Sequence, residues 1–387
     1  MGRYQVELVR PVWAEIDLAA LRHNIREIRR LIGPEVEQMA VVKAEAYGHG
    51  AFEVAQTACR EGVTWLGVAL PEEGIALRQK GLTAPILVFA PLQTGQAGVF
   101  LEYNLTATVC FLESVIALSR EALQRGKTAP VHVKLDTGMG RVGLSPQEAV
   151  KFIKKINSIP GIKVQGLYSH LATADQADQT YAKLQIARYA QTVKALDAAG
   201  ILPEKLHLAN SAAVIGLPQA FYNMVRTGII LYGLYPSAEV DQSKIPLKPV
   251  LALKTRVIQV KQVPAGTGIG YGQSYHTNRK TTIVTLPIGY ADGWSRLLSH
   301  KAQVLIGGKR YPIVGTICMD QCMVDVGDEP VEVGAEVVLI GSQGKEMITA
   351  DAVAAQLGTI NYEVTCMISD RVPRVYLNKD ENEKSTD

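Results

Sequence analysis

Eight short apolar, β-rich runs punctuate the first two-thirds of the chain. They are QMAVV (38–42), WLGVAL (65–70), PILVFA (85–90), TATV (106–109), VHVKL (131–135), IKVQGLY (162–168), KLHLA (205–209) and GIILYG (228–233). Amphipathic stretches lie between them, such as AALRHNIREIRRLI and YAKLQIARYAQTVKALDAAG. The second closes on Gly200, a residue suited to stopping a helix. Runs that are apolar throughout read as strands covered on both faces. Eight of them alternating with helices predict an α/β fold, a (β/α)8 TIM barrel. A doubly wound open sheet is the rival, and it is weaker because no dinucleotide-type glycine fingerprint follows the first run. VWAEIDLAAL carries a further strand ahead of the barrel proper.

The rhythm changes near Pro246–Pro249. ALKTRVIQVKQV, TTIVTLPIGYA, AQVLIGG, YPIVGTICM and EVVLIG read as strands and turns, interrupted by one clear helix, TADAVAAQLG. The sequence thus divides into a barrel over residues 1–247 and a mostly β C-terminal domain over 248–387. Its polar tail, NKDENEKSTD, is expected to be disordered from about residue 378.

Composition narrows the function classes. Of 387 residues, 47% are hydrophobic and 20% charged, with a formal net charge of +3 spread along the chain. No basic block points to nucleic acid. No apolar run approaches the ~18 residues that span a membrane. The N-terminus MGRYQVELVR lacks an apolar signal core, and Val6 breaks the myristoylation pattern that Gly2 opens. Five cysteines, an odd number without disulfide spacing, fit a reducing cytoplasm. Cys318 and Cys322 have no histidine nearby and read as small buried residues; no metal site is expected. GTGIGYGQSY (266–275) opens no helix and reads as a turn rather than a phosphate loop.

The unusual polar residues fall at run ends. AVVKAEAYGHG (40–50) ends an apolar run in Lys43, beside a tyrosine, a histidine and two glycines. Such a lysine either reaches for water or forms a Schiff base with a carbonyl cofactor. Lys134 lies near the end of the fifth run, with DTGMGR after it. His170 follows the sixth, Asn210 and Ser211 the seventh, and Arg226 enters the eighth. In a barrel these positions share the face that carries active sites, and loops after strands seven and eight commonly hold a phosphate. A lysine plus a phosphate rim suggests pyridoxal 5'-phosphate; a sugar-phosphate aldolase is the rival. Taken singly, His170 reads more readily as a satisfied core histidine and Tyr271, Tyr290 and Tyr362 as packing aromatics, while Ser211 could be only a helix cap and Arg141 a solvated loop charge.

AVVKAEAYGHG, KLDTGMGRVGL, ANSAA, NMVRTGIILYGL, IGYGQSY, LPIGYADG, VGTICMDQCMVDV and TINYEV occur in this order. Together they resemble the alanine racemases over about residues 12 to 375. The resemblance implies a cytoplasmic, pyridoxal-phosphate-dependent homodimer that interconverts L- and D-alanine, supplying D-alanine for peptidoglycan. It implies that Lys43 binds the cofactor and that Tyr271, from the second subunit, is the other catalytic base. Arg226 matches the pyridine-nitrogen partner. Tyr47, Ser211, Gly228, Ile229 and Tyr362 match the phosphate-binding set, and His170 and Asn210 are grouped with the cofactor-binding residues. Arg141 and Met319 match residues that meet the substrate carboxylate, and Tyr290 belongs to the substrate pocket. Lys134 matches a lysine that is carbamylated in many members.

Two positions depart from the family pattern. Glu45 stands where Asn is usual; buried, it would raise the pKa of Lys43, and facing solvent it would do little. Thr316 stands where Arg is frequent, which leaves room for a racemase of another or broader range. A barrel-type decarboxylase would carry a cysteine-bearing loop in place of the tyrosine motif. A non-enzymatic pyridoxal-phosphate protein of the barrel alone would lack the long β domain.

Overall fold

The computed structural model describes residues 9–379, so the leader and acylation readings and most of the polar tail lie outside the described residues. Contacts divide the chain into two units. One comprises Leu21–Ala46 and Gly50–Lys248; the other takes the described residues up to Ala20, Tyr47–His49 and everything from Pro249.

The strand β1 (Val12–Asp17) belongs to the second unit and is taken up below. The first unit is a closed barrel of β2 (Glu37–Val41), β3 (Trp65–Val68), β4 (Ile86–Pro91), β5 (Thr106–Val109), β6 (Ala129–Lys134), β7 (Ile162–Tyr168), β8 (Lys205–His207) and β9 (Met224–Thr227). All neighbouring pairs are parallel, and the barrel closes where Met39 of β2 faces Arg226 of β9. Helices lie between the strands. Helix Leu18–Ile32 buries Leu21, Ile25, Ile28 and Ile32, a three-to-four-residue stripe. Helix Thr180–Ala198 ends before Gly200, whose φ of 66° is left-handed.

Seven predicted runs coincide with barrel strands; the eighth does not. GIILYG is a 3-10 turn, Ile229–Tyr232, entirely buried, with the Tyr232 hydroxyl donating to the Val41 carbonyl at 2.8 Å. The strand is the preceding Met224–Thr227, so Arg226 sits inside it rather than before it. Burial alone does not distinguish a strand from a packed turn, and the arginine disguised the true strand.

The second unit is built on a ten-stranded sheet. Its remaining strands are β10 (Leu251–Arg256), β11 (Gln259–Val263), β12 (Gly268–Ile269), β13 (Tyr275–His276), β14 (Thr281–Leu286), β15 (Gln303–Ile306), β16 (Lys309–Val314), β17 (Cys322–Gly327), β18 (Glu336–Gln343), β19 (Glu346–Ile348) and β20 (Arg374–Leu377). The order is β11-β14-β17-β16-β15-β18-β10-β1-β20, with β19 paired to β18 and with β12 and β13 forming a separate ribbon. The chain's first strand thus pairs antiparallel with β10 and parallel with β20. The run 252–263 is two strands, because Val257 turns out to bond the Ala335 carbonyl. The run from Tyr311 stops at Val314, where Gly315 has a φ of 69°. A second helix, Asn361–Cys366, accompanies Ala350–Leu357; it is too short to show a helical period in sequence. Cys322 opens β17 and is buried.

Candidate active site

Lys43 follows β2 by one residue and begins an abrupt turn. Ala44, Glu45, Ala46 and Tyr47 all have φ between 51° and 56°, so Lys43–Gly48 winds in the left-handed sense. Left-handed helix costs roughly 1–2 kcal/mol per non-glycine residue, so this turn must be held from outside. Glu73 holds one end. Its carboxylate accepts the Ala44 N–H at 2.6 Å, the Ala69 N–H at 2.6 Å and the Leu70 N–H at 3.0 Å, tying the lysine turn to the end of β3. Glu45 is exposed, and its carboxylate accepts the Ala51 N–H at 3.1 Å. Of the two outcomes open to Glu45, the solvent-facing one holds: it caps the helix Ala51–Arg60.

Lys134 ends β6 and is only 7% exposed, its Nζ 4.5 Å from the centre of the Tyr168 ring. Burial first, then the Arg226 and Arg141 cations, push its pKa well below the usual lysine value. It makes no ion pair among the described residues. The following loop carries Arg141. Asp136 accepts the Gly138 and Gly140 N–H groups at 2.9 and 3.1 Å, and Leu144 donates back to the Lys134 carbonyl at 2.9 Å. Gly143, with φ of 133°, is required here because a Cβ would lie 2.5 Å from the Asp136 nitrogen.

Arg226 is buried and has no carboxylate partner among the described residues. Its Nη1 donates to the His207 carbonyl (2.9 Å) and His207 Nδ1 (3.1 Å). Its Nη2 donates to the Ser169 and Leu208 carbonyls (2.7 and 3.1 Å) and to His170 Nδ1 (3.2 Å). Carbonyl dipoles and neutral imidazoles therefore solvate the cation in place of water. Burial pulls its pKa down to about 10, which still leaves it protonated near neutrality. Burial, then the Arg226, Lys134, Arg141 and Lys43 cations, hold His170 well below the usual histidine range. A guanidinium has only donors, so Nδ1 of both His170 and His207 must present a lone pair.

After β8, Asn210 caps the helix Ser211–Gly216, accepting the Ala213 N–H at 3.1 Å. The cap is therefore Asn210, and Ser211 is freed for another role: its Oγ accepts the Gly228 N–H at 2.9 Å, joining the β8 and β9 loops. Gly228 and the fully buried Ile229 open the 3-10 turn beyond β9. Lys43, Lys134, Arg141, His170 and Arg226 thus share one electrostatic neighbourhood at the strand ends, dominated by positive charge and suited to an anion. Among the described residues no metal-ligating group of three His, Cys, Asp or Glu side chains occurs.

The remaining candidates lie in the second unit. Tyr271 is 74% exposed and sits in the tight turn between β12 and β13, between Gly270 (φ 74°) and Gly272 (φ 71°). Its carbonyl accepts the Thr316 hydroxyl at 3.3 Å. Tyr290 donates its N–H to the Cys318 carbonyl at 3.1 Å, and Met319, 52% exposed, accepts the Ala291 N–H at 3.0 Å. The Met319 N–H itself has no hydrogen-bond partner among the described residues. Tyr47 and Tyr362 set their rings 5.9 Å apart at 50°. Glu73, Asp136, Tyr168 and His207 were not singled out in the sequence; the only signal was that Tyr168 and His207 interrupt otherwise aliphatic strand ends.

Family models describing the N-terminal and C-terminal domains of alanine racemase match residues 16–236 and 250–376. The chain belongs to the alanine racemase family. The alanine racemase of Halothermothrix orenii is 48% identical over 96% of this chain and 98% of its own length. That of Desulfovibrio desulfuricans is 47% identical over 96% of this chain and all of its own length. Among solved structures, the alanine racemase of Clostridium difficile matches with a TM-score of 0.93 at 43% identity, over 97% of this chain and 98% of its own. The Bacillus anthracis alanine racemase with bound L-Ala-P matches with a TM-score of 0.90 at 40% identity, over 96% of both chains. Alanine racemases are isomerases that depend on pyridoxal phosphate. The donor set fits that cofactor: a lysine at a strand end, a buried cation without an acid partner among the described residues, and a serine joining two loop backbones.

Proposed function

We propose that the barrel rim and the tyrosine loop of a second copy of this chain interconvert L- and D-alanine by a two-base mechanism. The observation that carries the reading is the gathering of Lys43, Lys134, Arg141, His170 and Arg226 around one set of strand ends. Pyridoxal phosphate, held by Lys43 until the alanine amine displaces the lysine and frees its Nζ, would supply the electron withdrawal that makes the alanine Cα–H removable. Lys43 Nζ takes or gives that proton on one face, and Tyr271 Oη does so on the other; the two exchange roles when the direction reverses. Arg141 and the Met319 N–H hold the substrate carboxylate. Tyr47, Ser211, Gly228, Ile229 and Tyr362 hold the phosphate, His170 and Asn210 flank the cofactor, and Tyr290 with Met319 keeps the pocket small.

Arg226 would donate a hydrogen bond to the pyridine nitrogen without giving up its proton. Electron withdrawal is then weak, and fast proton return is favoured over transamination. Burial and the Arg226 and Arg141 cations lower the Lys134 pKa, so its amine gives up a proton more readily than a free lysine; the deprotonated nitrogen can then add to carbon dioxide, the N–C bond forming as a proton leaves to water. The resulting carbamate anion would orient Arg141.

Exposure supports a shared site. A tyrosine acting as a base needs its surroundings controlled, yet Tyr271 stands in water in the single chain, on a unit that also exposes Leu297 and Met319. A homodimer that covers this face supplies the missing walls. D-alanine made in the cytoplasm would serve peptidoglycan. The reading is tested by following the circular dichroism of L-alanine with purified, cofactor-supplemented protein. Decay to zero at constant total alanine is expected. A signal that persists, in protein carrying bound cofactor, would sink alanine as substrate and direct the search to serine, lysine and arginine.

A further inference from the structure

The barrel core holds a buried imidazole pair that the mechanism above does not use. His132 on β6 and His207 on β8 are both fully buried, with His132 Nδ1 and His207 Nε2 2.9 Å apart. The direction of that bond follows from Arg226. Its Nη1 donates to His207 Nδ1, so a neutral His207 carries its proton on Nε2 and donates it to His132 Nδ1. His132 then carries its own proton on Nε2, a buried atom with no partner among the described residues. Burial pushes the His132 pKa down to about 3, so a second proton does not upset this order near neutrality. Neighbouring groups pack against both rings. His207 stacks on Tyr168 at 4.8 Å, His132 lies 5.1 Å from Trp65, and a Cβ on Gly166 would stand 2.5 Å from His132 Nδ1.

We infer that His132 is a positioning residue: by accepting the proton of His207 Nε2 it fixes the His207 tautomer, and so keeps a lone pair facing Arg226. Without that acceptor, His207 would relieve its buried N–H by moving the proton to Nδ1, where it would confront a guanidinium that can only donate. Arg226 would lose one of its five acceptors. The functional half of this inference rests on the reading that Arg226 meets the pyridine nitrogen; the tautomer half does not.

The test uses the full-length, cofactor-free chain labelled with 15N at histidine. In the unsubstituted protein, a coupling across the N–H···N bond should join His207 Nε2 to His132 Nδ1, with His207 Nδ1 unprotonated. His132→Leu should raise the minor His207 tautomer about tenfold, the worth of one buried hydrogen bond. His132→Gln, which restores an acceptor oxygen, should reverse most of that change. Absence of the coupling in the unsubstituted protein would overturn the proposal even if neither variant folded. An unchanged tautomer in a folded His132→Leu protein would do the same. With cofactor added, a folded His132→Leu enzyme should shift alanine turnover between racemisation and transamination. A tautomer change with no change in that ratio would overturn the link to Arg226 while leaving the tautomer assignment supported.

Discussion

Removing the Glu73 carboxylate should loosen the lysine turn before it unfolds the barrel. Four residues after Lys43 sit in the left-handed region, storing roughly 4–8 kcal/mol at about 1–2 kcal/mol each. Against this, Glu73 accepts three backbone N–H groups at 2.6, 2.6 and 3.0 Å. Bonds to a charged acceptor contribute about 1.5–3 kcal/mol each when sheltered. Glu73 is half-buried, so about 3 kcal/mol in all is a fair total. Glu73→Ala should therefore destabilise the protein by about 3 kcal/mol, a fall of roughly 6–12 °C in Tm for a domain of this size. Glu73→Gln should lie between the two. Its amide has one acceptor oxygen, so either Ala44 or the Ala69–Leu70 pair loses its partner. Thermal unfolding followed by circular dichroism gives the stability, and racemisation kinetics give the consequence for Lys43, with kcat expected to fall by at least tenfold. A Glu73→Ala protein with unchanged Tm and unchanged kcat would refute the claim that this carboxylate holds the turn.

Three further outcomes are expected. Arg226→Glu should lose racemisation and gain transamination, read as keto-acid release from alanine; a variant that loses both equally would contradict the role given to the guanidinium. His132 makes stability depend on acid. Its pKa is depressed in the folded state to about 3, so between that pH and the ordinary histidine value the unfolded chain binds the extra proton and the folded chain does not. Stability therefore rises with pH in that window, by about 1.4 kcal/mol per pH unit for this one residue, and is lost as pH falls from 6.5. Urea midpoints between pH 7 and 5 should accordingly fall less steeply in His132→Gln, and parallel slopes would count against a neutral buried His132. Activity should also fall when carbon dioxide is stripped from the buffer and return on adding bicarbonate, because a carbamate on Lys134 is reversible; Lys134→Ala should be indifferent to the treatment.

Much of the fold was legible because each of the first seven barrel strands overlaps a short run dominated by apolar and β-branched residues. The eighth was not, since Arg226 interrupts Met224–Thr227 while the neighbouring Ile229–Tyr232 turn is more apolar and just as buried. The strand Val12–Asp17 was visible as a strand, but nothing in its residues says that it pairs with Leu251–Arg256, some 240 positions away. The rim was legible where polar residues end apolar runs, as at Lys43, Lys134 and His170. The supports of that rim were not. Glu73 sits in an ordinary helix start, and AEAYG gives no sign that Ala44 through Tyr47 turn left-handed, because that backbone is imposed by tertiary contacts. His132 and His207 were hidden inside runs read only for their apolar neighbours.

The shared two-base site is tested most directly by mixing subunits. Lys43→Ala and Tyr271→Phe proteins, each inactive alone, are combined under conditions where subunit exchange is proven. Random pairing makes half the dimers mixed, each with one intact site of two, so about a quarter of the unsubstituted activity should return. Two inactive parents that exchange freely and recover nothing would contradict a site built from Lys43 of one copy and Tyr271 of the other.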